Sequence, residues 1–229
     1  MRTPGGWAVP AGLIALGLVP VVAGVLRVGD LPGEAAHGVP LALHVTASPL
    51  YTVLGAFQFA PGFRRRRRGW HRAAGRVLVV AGLVSALSAV WMTLFAPLPP
   101  RDAGLLTAFR LVFGTVMAVA LVRGFAAVRR RDVRRHRAWM ARAYAIGLGA
   151  GTQAFTLGIW EAAAGPPDAF ARALLQAAGW VINLAVAEWG IRRSAPHPAG
   201  LVRPHGDLHP VADAELGHQA GDVTLDRAE

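Results

Sequence analysis

VLVVAGLVSALSAVWMTLFA, residues 77–96, runs for twenty residues without a charged side chain, and seven arginines (Arg64 to Arg68, Arg72 and Arg76) lie within residues 61–76 just before it. A helix of about 20 apolar residues covers a hydrocarbon core roughly 30 Å thick. The segment lacks the alternation of a barrel strand, so a helix is the way it can satisfy its backbone inside lipid. Five more segments have the same character: Trp7–Leu26, Leu41–Ala60, Leu105–Val122, Ala143–Trp160 and Leu174–Ile191. The expectation is an all-α integral membrane protein, a bundle of six helices with no interrupted span.

Composition agrees. Of 229 residues 54% are hydrophobic and 16% charged, against about 25% charged in an ordinary soluble domain. Mean hydropathy is +0.40. There is no cysteine, which excludes disulfides, thiolate metal sites and thiol nucleophiles. All 24 basic residues are arginine, as in a GC-rich bacterial genome, and the missing lysine removes P-loop and Schiff-base chemistry. No His-Glu-x-x-His, Gly-x-Ser-x-Gly or aspartate pair lies in the spans, so no catalytic residue is assigned.

The connections differ in charge. Residues 123–142 hold eight arginines, while the alternate connections hold one each: Arg27, Arg101 and Arg172. Short arginine-rich loops stay in the cytoplasm, which puts both termini on the cytoplasmic side of a bacterial cytoplasmic (inner) membrane. Val22-Ala23-Gly24 could pass for a signal-peptide cleavage site, but the first apolar run is longer than a usual signal core, so it is read as a retained helix. Residues 194–229 carry four histidines, four prolines and six acids against two arginines, and are read as a disordered cytoplasmic tail.

An internal repeat of about 65 residues is visible. His71-Arg72-Ala73 corresponds to His136-Arg137-Ala138, Gly82-Leu83 to Gly147-Leu148, and Pro99-Pro100-Arg101-Asp102 to Pro166-Pro167-Asp168. Two hairpins running in the same sense would be related by an axis along the membrane normal. The repeat sets His71 and His136 in the first turns of matching helices.

Polar groups inside lipid are costly and mark bundle interiors or binding sites. In the second segment His44, Ser48, Tyr51, Gly55 and Gln58 fall on one helical face. His44, Tyr51, Arg110, Thr152 and Gln153 could together line an outward-facing pocket for an anionic or quinone-like ligand, and Asn183 lies near mid-membrane. The simpler reading is interhelical hydrogen bonding, with Arg110 paired to Glu161 and Glu188 to Arg192 at i,i+4. The arginine clusters read as topology determinants and contacts to anionic headgroups, not as a nucleic-acid surface. Trp7, Trp70, Trp139 and Trp189 at one interface and Trp160 at the other form an aromatic belt.

Several motifs together resemble one family. They are LGAFQF (54–59), HRAAGR (71–76), WMTLF (91–95), RRRDV (129–133) leading to HRAWM (136–140), and WVINLAVAEW (180–189). The chain resembles the bacterial multi-pass family called domain of unknown function 2306, over roughly residues 40–193. The resemblance implies a helical membrane protein and no particular activity. It implies recurring polar residues at His44, Gln58, His71, Arg76, Arg110, His136, Arg142, Asn183 and Glu188.

Three functions are compatible with these residues. The least specific is a scaffold, partner or lipid-interacting subunit, alone or as a homo-oligomer. A transporter or small-molecule binder would use His44, Tyr51, Gln58, Arg110, Gln153 and Asn183. An electron-transfer protein would hold haem b between His71 and His136 as axial ligands.

Overall fold

The computed structural model describes residues 7–27, 38–60 and 67–194. The expected tail, its histidines and most of the first arginine run lie outside these residues. The described chain forms seven helices and no strand: α1 (Ala8–Arg27), α2 (Gly38–Ala56), α3 (Arg68–Phe95), α4 (Leu105–Arg129), α5 (Val133–Gly147), α6 (Gly149–Ala164) and α7 (Ala169–Arg193). A 3-10 turn, Phe57–Phe59, closes α2, and another, Pro100–Asp102, precedes α4. Among the described residues, four helices (α2 with its closing turn, α3, α4 and α7) are long and apolar enough to cross a membrane.

Two expectations need correction. The helices outrun the apolar windows: α3 begins at Arg68 rather than Val77, and α4 continues to Arg129 rather than stopping at Val122. Arginine is a good helix former, so a charge ends the apolar run without ending the helix. The arginine-rich stretch 123–142 is thus mostly helical, and only Arg130 to Asp132 join α4 to α5. The second correction is the fifth span, which is two helices meeting at Leu148 instead of one continuous helix over 143–160.

The α4–α5 joint is tight. Arg131 has φ 62°, and the Asp132 carboxylate caps α5 by accepting from the Arg135 N–H at 2.9 Å. A side chain in the left-handed region costs about 1 kcal/mol. Arg131→Gly should therefore raise stability by up to about 1 kcal/mol, measured by thermal unfolding in detergent.

Packing follows the chain at first. α2 packs on α1 and α3, and α3 on α4. The α5–α6 pair then ties the bundle together, because α5 packs on α2, α4 and α7 while α6 packs on α1 and α7. Core residues Tyr51, Leu78, Leu121, Tyr144 and Leu148 fill the space between. The surface is apolar, with Val80 and Ile159 62% and 70% exposed, as lipid-facing positions should be.

The two repeat glycines occupy equivalent places on one ring. A Cβ on Gly82 would come within 2.8 Å of Tyr51 Cε2, and one on Gly147 within 2.7 Å of Cε1. Tyr51 of α2 is held edgewise between the first and second copies. The copies then diverge: 82–86 reads Gly-Leu-Val-Ser-Ala and stays helical, while 147–151 reads Gly-Leu-Gly-Ala-Gly and breaks. Two more glycines in five residues lower the helical preference by about 1 kcal/mol each.

Candidate functional site

The polar residues expected to share one pocket fall into separate clusters. His44, half-buried in α2, faces α3. Its Nδ1 lies 2.9 Å from the Ser85 carbonyl oxygen and 3.2 Å from Ser88 Oγ. A carbonyl can only accept, so Nδ1 carries the proton and Nε2 accepts from Ser48 Oγ at 3.3 Å. Ser48 and Ser85 hydroxyls close the cluster at 2.6 Å. Farther along the same face, Tyr51 packs in the core and Gly55 lies against Tyr144, whose hydroxyl donates to the Thr52 carbonyl at 2.6 Å. Gln58 buries its amide nitrogen with no hydrogen-bond acceptor among the described residues.

Arg110 pairs with Asp102 at 2.9 Å, not with Glu161, which is exposed near the end of α6. The 3-10 turn before α4 brings Asp102 back to Arg110, eight residues on in sequence. Arg172 of α7 reaches the other carboxylate oxygen at 2.7 Å. One buried carboxylate therefore joins two guanidinium groups and locks the 96–104 connection to α7. Burial alone would raise the Asp102 pKa, but the hydrogen bonds from Arg172 and Arg110, with their charges, hold it below the ordinary carboxylate value.

At the arginine-rich end, Glu188 is held by Arg142 in a two-pronged contact, Nε to Oε1 and Nη2 to Oε2, rather than by Arg192. Packing of α5 on α7 supplies a partner that helical spacing could not indicate. Trp139 lies under both Arg142 and Arg123, with guanidinium-to-ring distances of 5.0 and 5.4 Å. Near the break, Asn183 of α7 donates to the Ala145 carbonyl at 3.2 Å and accepts from Thr152 Oγ1 at 2.8 Å. Buried Gln153 donates to the Gln176 carbonyl at 2.9 Å. Asn183 thus satisfies a backbone carbonyl at the interruption, while Gln153 ties α6 to α7.

The two candidate haem ligands lie in the first turns of α3 and α5, as the repeat implies. His136 donates from Nδ1 to the Gly124 carbonyl at 2.9 Å. His71 stands beside Trp70 on a helix whose main neighbours are α2 and α4, whereas those of α5 are α2, α4 and α7. Among the described residues no group of three or more His, Asp or Glu side chains could hold a metal ion.

A family model described as "Predicted membrane protein (DUF2306)" matches residues 41–191, about two thirds of the chain. The chain belongs to the DUF2306 family. No curated protein and no solved structure matches it. The DUF2306 region contains every cluster described above and excludes α1.

Sequence reasoning on this DUF2306 chain missed Asp102 and Arg172 as partners, and missed Ser85 and Ser88 beside His44. A signal existed for the first pair. Both residues sit at or beside arginine-poor connections that helix order puts at the same end of the bundle, and opposite charges isolated there have few alternatives to meeting.

Proposed function

We propose that this DUF2306 protein is a helical scaffold of a bacterial cytoplasmic membrane, with its arginine-rich end and both termini in the cytoplasm. It acts as a partner or lipid-interacting subunit. The observation that carries this reading is that, Gln58 apart, the polar side chains of the clusters are matched within the chain: His44 to serines, Arg110 to Asp102, Arg142 to Glu188, Gln153 and Asn183 to backbone carbonyls. A solute pathway keeps such groups for its ligand.

A discontinuous helix favours a transporter or binder, since such helices line transporter sites. Here, however, Gly149 lies against the Trp180 indole and Gly151 against the Leu16 carbonyl, so other helices occupy the break.

The test is thermal unfolding of purified protein with and without a panel of quinones and carboxylic acids. His44→Leu should destabilise by about 1–3 kcal/mol through unpaired hydroxyls, and adding Ser48→Ala, Ser85→Ala and Ser88→Ala should recover much of the loss. Stabilisation by any panel compound that disappears in His44→Leu would overturn the scaffold reading in favour of a binder. The haem reading is tested on the same sample. A Soret band from protein made with ample haem, lost in His71→Ala or His136→Ala, would replace the scaffold with a membrane cytochrome.

A further inference from the structure

We propose that the groove between α2 and α3 is a site for one anionic glycerophospholipid, with its phosphate at Arg76 and an acyl chain along Leu50, Val77, Val80 and Ala81. The proposal rests on the lipid-interacting reading above and gives it a location. The groove has a volume of about 390 Å³, and apart from Arg76 these aliphatic residues line it. The groove wall is hydrocarbon, Arg76 lending it only the carbons of its side chain. An acyl chain suits such a wall, and the guanidinium, outside the wall, is left for the charged head of a lipid.

Arg76 differs from the bundle's partly buried, paired arginines. Arg110 and Arg172 share Asp102, and Arg142 is held by Glu188. Arg76 is exposed and has no ion-pair partner among the described residues, and the same is true of Arg72 one turn earlier on the same face. Their charge is available to a ligand from outside the chain.

Depth supports the same assignment. α3 has 28 residues, which at 1.5 Å per residue is about 42 Å, longer than a hydrocarbon core of roughly 30 Å. Its excess is at the start, where Arg72 and Arg76 occupy the second and third turns and Val77 opens the apolar run. Arg76 therefore stands at headgroup level, with Val77, Val80 and Ala81 leading inward on adjoining positions. Phosphate suits this place, because a guanidinium can engage two of its oxygens at once.

The experiment is native mass spectrometry of the full chain in detergent, with phosphatidylglycerol as probe. Phosphatidylcholine with the same acyl chains and inorganic phosphate are the comparators. The wild-type protein should retain one phosphatidylglycerol. Arg76→Gln should weaken retention about tenfold, the effect of losing a charge-assisted hydrogen bond to phosphate. Val80→Trp, which fills the groove from an exposed position, should weaken it comparably. Arg101→Gln, an exposed arginine at the other end, should leave it unchanged. Several results would each overturn the site: no retained lipid, equal retention of phosphatidylcholine, displacement by millimolar phosphate, or equal loss in Arg101→Gln. Phosphatidylglycerol retention unaffected by Arg76→Gln and Val80→Trp would also overturn it while leaving the scaffold reading, which rests on the His44 measurements, untouched.

Discussion

Gly151→Ala, a single added methyl group, should destabilise the bundle by about 3 kcal/mol, the upper part of the range for overpacking a closed interior. A Cβ at this position would run into the Leu16 carbonyl oxygen of α1, with Leu16 Cδ1 and Cγ only 2.9 and 3.0 Å away. Pro20 sits inside α1 and has no N–H, so the Leu16 carbonyl four residues earlier lacks its helical donor. Gly151 approaches that exposed carbonyl closely enough for a Cα–H contact, a weak but recurrent interaction between membrane helices. A backbone oxygen cannot rotate out of the way, so the added methyl must push α1 off α6. Gly158 in the same helix is the control, because nothing lies within 4 Å of its Cβ position. Gly158→Ala should stabilise by about 0.5–1 kcal/mol through helix propensity alone. Denaturant unfolding in one detergent compares the two variants. If Gly151→Ala proved as harmless as Gly158→Ala, α1 would not be seated on α6.

This joint also shows where the sequence is legible. Apolar runs and their arginine flanks located the four helices long and apolar enough to cross a membrane, because the bilayer imposes a length that composition reveals. The break at Leu148 was hidden for the same reason: residues 143–160 carry no charge, and a hydropathy window does not register that Gly147, Gly149 and Gly151 each admit a different helix. The face on α2 was readable from its period, but not its division among partners. His44 and Ser48 turn to α3, Tyr51 to both repeat glycines, and Gly55 to Tyr144. Helical spacing suggested Glu188 with Arg192, whereas the structure joins Glu188 to a residue 46 positions away. Periodicity describes one helix at a time, and ion pairs between helices depend on a packing that it does not contain.

Asp102→Asn tests the ion triad, and its expected cost is about 3 kcal/mol near neutral pH. The amide cannot balance Arg110 and Arg172, whose side chains are only 26% and 19% exposed, so two like charges would remain close together at the end of the bundle. The effect should depend on pH in one direction. The Asp102 carboxyl is held below its ordinary value of 3.8 in the folded protein, so its contribution is complete above that value. The contribution is lost as pH falls through the lower folded value, where the carboxyl becomes protonated and resembles the amide. The stability difference between wild type and Asp102→Asn should therefore be constant from neutral pH down to about pH 4 and shrink in more acidic solution. Replacing all three residues by apolar ones of similar size should cost far less than Asp102→Asn, since a matched group can be removed whole more cheaply than by one member. A small, pH-independent loss in Asp102→Asn would mean that solvent and lipid headgroups screen the two arginines at this end of the bundle. The triad would then position the 96–104 connection without contributing to stability, and the matching of interior charges would be much weaker support for the scaffold reading.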